Sequence, residues 1–187
     1  MTTQIFPLDA DGSAADYAGL LGDKSGLRIL DRTAWPRFGV KGPGSADWLD
    51  GAGVDLPGLN RLRMKNRLMT LRLGGNDIML HSIDGTPDRV ADLQGRWDKD
   101  NGPKGYSSWR EEGWAWLYLD GPDLNDTLAR CCAVDLRPAV FADDQIAQTS
   151  FAHVDAMVFR QDKGINVLFD ISALGNVLAT LRVDEVH

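Results

Sequence analysis

At 187 residues, with 27 acidic against 20 basic side chains and a net charge of -7, the chain is long enough to bury a sizeable core. Its field repels a phosphate backbone, which makes nucleic acid an unfavourable partner. No apolar stretch approaches the ~20 residues needed to span a bilayer, and the N-terminus MTTQIFPLDADG has no basic region followed by an apolar run, so the expected location is the cytoplasm.

Residues 1–25 are rich in Asp, Gly, Ser and Ala and read as a peripheral arm, with one short helix expected over 14–21. Residues 26–187 are expected to form a single domain of two similar halves, approximately 26–97 and 106–187. Residues 26–31 form the first expected strand. A second covers 35–41, with Phe38 and Val40 on one face. Gly42-Pro43-Gly44 then turns the chain into a helix with Ser45 as its expected N-cap, and Trp48, Leu49 and Ala52 fall inward at three- and four-residue spacing. Gly51 and Gly53 end it. The basic segment from Leu59 to Lys65 is expected to lie on the surface. Two apolar runs, 68–73 and 77–81, flank Gly74-Gly75-Asn76 in the manner of a hairpin. Thr86 as cap and Pro87 as first helical residue open a helix over 86–97 with Val90, Leu93 and Trp97 as its apolar stripe.

The polar connection 98–105 separates the halves. In the strand that follows, Trp114, Trp116 and Tyr118 share one face and Ala115, Leu117 and Leu119 the other, so both faces are apolar and the strand should be central or covered. The helix from Leu124 turns Leu128 and Cys131 or Cys132 inward, and Asp123 or Asn125 serves its N-terminus. Apolar runs at 151–161 and 165–170 split around Gly164, and a helix is expected over 172–183.

The halves repeat. Gly42-Pro43, Asp47, Leu49 and Val54-Asp55-Leu56 fall on Gly121-Pro122, Asp126, Leu128 and Val134-Asp135-Leu136 with one extra residue in the later copy. Two βαββα units in tandem, an α+β fold, are the expected architecture.

Residues able to carry chemistry are few. His81, His153 and His187 have no carboxylate or cysteine at metal-ligand spacing. Cys131 and Cys132 are adjacent, without the spacing of a redox pair, and read as small core fillers. Gly42-Pro43-Gly44 and Gly74-Gly75-Asn76 match no phosphate-binding pattern, and Pro43 lacks an N–H that such a loop needs. The acid pairs Glu111-Glu112 and Asp143-Asp144 read as solvated turns. No catalytic, cofactor-binding or metal-binding residue is therefore assigned. Six tryptophans remain as a signal, and Trp109, Trp114 and Trp116 are the candidates for contact with a partner.

The run GPDLNDTLARCCAVDLRPAVFADDQIAQTSFAHVDAMVFRQ resembles the second half of the gamma subunit of heterotetrameric sarcosine oxidase. The resemblance is carried by Cys131-Cys132, Asp135-Leu136, Pro138, Phe141 and Thr149, and more loosely by Leu56-Pro57, Asn60, Leu71-Arg72-Leu73-Gly74 and Asp77-Ile78-Met79-Leu80. The same subunit family serves N-methylglutamate dehydrogenase and related amine-oxidising complexes. The resemblance implies duplicated ferredoxin-like units, as in the folate-binding domain of the glycine-cleavage aminomethyltransferases. It also implies an accessory role beside alpha-, beta- and delta-like subunits. FAD, FMN, NAD, tetrahydrofolate and zinc are then held by those partners and none by this chain. A stand-alone folate-dependent aminomethyl- or methyltransferase-like protein is the competing expectation.

Overall fold

The computed structural model describes residues 15–16, 26–102, 104–108 and 110–181. These divide into two compact units, one of residues 35–113 and 144–146, the other of the remaining residues.

The unit of residues 35–113 holds a five-stranded antiparallel sheet. In chain order its strands are β3 (Arg37–Lys41), β4 (Arg61–Lys65), β5 (Leu68–Gly74), β6 (Asp77–Ser82) and β7 (Tyr106–Ser107), and in space they run β4-β5-β6-β3-β7. Helices α1 (Ser45–Gly51) and α2 (Asp88–Lys99) belong to the same unit. Alternation along the strands sends Phe38, Val40, Leu68, Ile78 and Leu80 to a core shared with Leu49 of α1 and with Val90, Leu93 and Trp97 of α2. Each such Leu or Phe contributes about 1.5–3 kcal/mol by leaving water. Trp97 meets Phe38 and Trp48 edge-on, at centroid distances of 5.9 and 5.0 Å, and Trp48 Nε1 donates to Asp100 Oδ2 at 2.7 Å. Trp48 and Trp97 thus pin α2 to α1 and the sheet.

The other unit holds a six-stranded sheet in the order β1-β2-β8-β11-β10-β9, with β1 (Ala15–Asp16), β2 (Arg28–Asp31), β8 (Trp114–Asp120), β9 (Ile146–Phe151), β10 (Val154–Gln161) and β11 (Gly164–Asp170). A four-residue helix, α3 (Arg110–Gly113), precedes β8. Helices α4 (Leu124–Cys131) and α5 (Leu174–Leu181) follow β8 and β11, α5 after a short 3-10 turn over Ile171–Ala173. One sheet face carries Ile29, Leu117, Leu119, Val158, Ile165, Val167 and Phe169 into a core with Leu124, Leu128, Val177 and Leu178 of the two helices. As expected from its two apolar faces, β8 is central, between β2 and β11.

The duplication is plain in the element order. β3-α1-β4-β5-β6-α2 repeats as β8-α4-β9-β10-β11-α5, and the strand orders β4-β5-β6-β3 and β9-β10-β11-β8 coincide. Turn chemistry repeats as well. Asn66-Arg67 between β4 and β5 and Ala152-His153 between β9 and β10 all have positive φ, the conformation of a two-residue hairpin turn. The leading strands are exchanged, since β2 precedes the first copy in sequence yet pairs with β8 of the second, and β7 precedes the second copy yet pairs with β3 of the first.

Several expectations need correction. Each repeat is βαβββα, one strand longer than βαββα. The extra strand of the first copy is β4, formed by the basic segment read as surface; it is an edge strand in which only Leu62 is buried, so three of its five side chains are cations left in water. The extra strand of the second is β9, which lies ahead of the run 151–161 apart from Phe151 and is joined to β10 by the Ala152-His153 turn. Residues 15–16, expected to be helical, are strand β1; the rest of the 1–25 arm, and His187, lie outside the described residues. Gly44, not Ser45, is the N-cap of α1, and Ser45 Oγ donates instead to the carbonyls of Gly42 (2.5 Å) and Asn76 (3.1 Å). Pro87 is the N-cap of α2, because the hydroxyl of Thr86 is turned back to Asp84 Oδ1 at 2.7 Å.

Candidate functional site

On the sheet face opposite the helices in the unit of β8, several polar side chains lie buried together. At one end of it Arg32, just beyond β2, is closed onto β8 by its own N–H donating to the Trp116 carbonyl at 2.8 Å, followed by the Trp116 N–H donating to Thr33 Oγ1 at 3.0 Å. Its guanidinium carbon sits 4.1 Å from the centroid of the Tyr118 ring. Arg32 Nη1 donates to Gln161 Oε1 at 2.8 Å and to Asn166 Oδ1 at 3.2 Å, while Asn166 Oδ1 also accepts from Trp116 Nε1 at 2.7 Å. Asn166 Nδ2 donates to Gln161 Oε1 at 3.2 Å, and the Tyr118 hydroxyl reaches the Gln161 carbonyl at 3.4 Å. Burial pulls the Arg32 pKa below the ordinary arginine value, with Tyr118, Asp162 and Asp120 acting in the opposite sense. An arginine stays charged under such a shift, so the cluster is a fixed positive charge framed by ring faces and amides.

Further along the same sheet, an open cleft of about 500 Å³ is lined by Trp114, Gln148, Thr149, Ser150, Asp155, Ala156, Met157 and Asp170. Register places Asp170 directly across from Trp114. Hydrogen bonds from the hydroxyl and N–H of Ser172 hold the Asp170 carboxyl below its ordinary pKa, so it is ionised at neutral pH. A half-buried indole beside carboxylates and hydroxyls offers one apolar wall and several polar contacts, the composition of a surface that receives a polar or cationic group.

Other candidates have structural placements. His81 is fully buried across from Arg37 in the β3–β6 ladder, and burial, then the Arg37 charge, push its pKa well below the ordinary histidine value. His153 occupies an exposed hairpin turn. Cys131 and Cys132 form no disulfide and are half-buried thiols packed at the margin of the core, and burial pushes the Cys132 thiol up, away from the reactive thiolate. Cys132 also borders a second cleft, of about 420 Å³, between α4 and residues 133–137. Gly42 turns the chain from β3 into α1 with φ of 95°, and Gly121 does the same before α4 with φ of 119°. Asp144 pairs with Arg61 at 2.6 Å and Asp143 with Arg160 at 3.2 Å, so these acids anchor a loop. Among the described residues, no group of three or more His, Cys, Asp or Glu side chains is placed to hold a metal ion.

Of the three tryptophans singled out, Trp114 lines the open cleft, Trp116 is fully buried with its indole N–H on Asn166, and Trp109 lies outside the described residues. Sequence reasoning missed Arg32, Gln161 and Asn166 altogether. The available signal was Asn166, a polar residue within the otherwise apolar strand INVLF.

No protein-family model matches the chain, and no curated protein matches it by sequence. Solved structures do share its fold. A chain of the heterotetrameric sarcosine oxidase from Corynebacterium sp. U-96, in complex with pyrrole 2-carboxylate, superimposes with a TM-score of 0.65 and 20% identity, covering 86% of this chain and 88% of that chain. The glycine cleavage system aminomethyltransferase T from Bartonella henselae gives a TM-score of 0.61 and 19% identity, covering 83% of this chain and 45% of that chain. The α+β fold with two antiparallel sheets is therefore the one these two proteins share. Among the described residues, no helix is long and apolar enough to cross a membrane.

Proposed function

We infer that this chain is an accessory, non-catalytic subunit of the gamma type in a multi-subunit flavoenzyme that oxidises N-methyl amino acids, of the sarcosine oxidase or N-methylglutamate dehydrogenase kind. The observation that carries the reading is the near-equal coverage of both chains in the match to heterotetrameric sarcosine oxidase. The likeness to aminomethyltransferase T spans only 45% of that enzyme, which favours a subunit over a stand-alone folate-dependent transferase. In this reading residues 26–187 act as one domain of two similar halves in the cytoplasm. Alpha-, beta- and delta-like partners hold FAD, FMN, NAD, zinc and tetrahydrofolate and pass the one-carbon unit to the last of these. The partner-facing residue is Trp114, with Trp109 as its neighbour in sequence.

The test is affinity purification of the chain from its native host. Recovery of stoichiometric flavin-containing chains that oxidise sarcosine or N-methylglutamate supports the reading. Recovery of the chain alone, with aminomethyl transfer to tetrahydrofolate by itself, replaces it with the transferase.

A further inference from the structure

Charge is segregated along this acidic chain. Between Asp55 and Asp77 there is no Asp or Glu, and the stretch carries Arg61, Arg63, Lys65, Arg67 and Arg72. Folding gathers part of that charge on one face. Arg63 and Lys65 alternate along β4 on the side of the sheet that faces the helices, opposite Thr70 and Leu68 of β5. There they share a recess of about 30 Å³ with Arg89 of α2 and with Val54-Asp55.

The carboxylates in ion-pair contact with these cations do not balance them, with Asp88 the further acid bordering Arg89 in a neighbouring recess. Asp55 alone accepts from both Arg63 (3.0 Å) and Lys65 (3.3 Å), and Asp92 alone serves both Arg89 (3.1 Å) and Arg96 (3.9 Å). Each trio keeps one net positive charge, on side chains that are between a third and two thirds exposed. On the opposite face of β4 Met64 is 41% exposed, and Leu59, just ahead of the strand, is 60% exposed. β4 is also the end strand of its sheet, with residues 144–146 bonded only to its first residues, through Leu62 N–H to the Asp144 carbonyl and Ile146 N–H to the Asn60 carbonyl. The remainder of the strand, Arg63 to Lys65, has an open edge among the described residues.

We propose that this basic edge, Arg63 and Lys65 of β4 with Arg89 of α2, is a docking surface for an extended acidic segment of a partner protein. Carboxylates at alternate positions match the two-residue spacing of Arg63 and Lys65, and intervening apolar side chains cover Met64. The recess accepts a carboxylate head but is too small for a base or sugar, and the net charge of -7 works against a polyphosphate chain. The proposal rests on the reading of the chain as a subunit and names one of its contact surfaces.

The experiment is fluorescence anisotropy on the full chain with a labelled synthetic peptide that alternates Glu with Leu and Ser, and with a matched peptide carrying Gln for Glu. Arg63→Glu with Lys65→Glu is compared with Lys163→Glu, an exposed charge in the β10–β11 turn, and circular dichroism confirms that each variant is folded. The expected result is saturable binding of the Glu peptide only, weakening as salt rises from about 50 to 300 mM. The double variant loses at least about tenfold in affinity and Lys163→Glu changes little. Equal loss in both variants, binding of the Gln peptide, no saturable binding, or tighter binding of a short DNA duplex each overturns it. A second arm separates the two readings: if flavin-containing chains co-purify with wild type and with the double variant alike, the docking surface is refuted while the subunit assignment stands.

Discussion

Asn166 is fully buried in a strand whose neighbours are apolar, and it is held there by accepting from Arg32 and Trp116 while donating to Gln161. Asn166→Ala removes the acceptor and leaves the indole N–H of Trp116 and one guanidinium N–H buried without it. The expected loss is about 2 kcal/mol, read as a lower urea midpoint at unchanged slope. Asn166→Ala at wild-type stability would show that the amide holds nothing. His81 makes a pH prediction. Its folded pKa lies below the ordinary 6.5, so under acid the unfolded chain binds a proton that the folded chain refuses. Stability is then full above about pH 6.5 and falls, as pH drops below it, by up to about 1.4 kcal/mol per pH unit. Urea unfolding of His81→Gln should lack this component between about pH 6.5 and 5, whereas an unchanged slope would assign the acid sensitivity elsewhere.

At the scale of elements, Gly121 before α4 and Gly51 at the end of α1 represent two kinds of glycine. A Cβ at Gly121, where φ is 119°, would stand 2.1 Å from the Gly26 carbonyl oxygen, just beyond the Arg28–Asp120 end of the pairing between β2 and β8. Gly121→Ala should therefore destabilise by more than about 1 kcal/mol. Gly51, the last residue of α1, has open space around it, and Gly51→Ala should stabilise by about 0.5 kcal/mol; thermal melts of the two variants must move in opposite directions. Such turn chemistry is local, which is why the Gly-Pro turns, the 68–82 hairpin and α2 were legible in the residues themselves. β4 was not, because the alternation of Leu62 and Met64 with three cations spans only five residues and only Leu62 is buried, so the basic composition dominates the pattern. The Arg32 cluster was beyond reach for a different reason: its members are separated by as many as 134 positions, and only the sheet register brings Tyr118 beside Asn166. The exchange of β2 and β7 was hidden likewise, since neighbouring residues in sequence do not state which copy a strand will join.

For the whole molecule, that exchange has a measurable consequence. Residues 26–102 contain β2 but lack its partner β8, and residues 104–187 contain β7 but lack β3. Each fragment alone should show weak circular dichroism and a broad melt, and mixing them should restore the cooperative transition of the intact chain. Two fragments that each melt sharply on their own would mean that the leading strands contribute little. Likeness at the level of fold extends to both a heterotetrameric sarcosine oxidase and an aminomethyltransferase, and fold alone does not decide function. The most direct measurement is size-exclusion chromatography with absorbance at flavin wavelengths, after purification of the tagged chain from its native host. The subunit reading predicts that the chain elutes in a large flavin-containing complex that oxidises an N-methyl amino acid, and that the separated chain is colourless. Elution as a flavin-free monomer, with no other chain in stoichiometric amount, would contradict it.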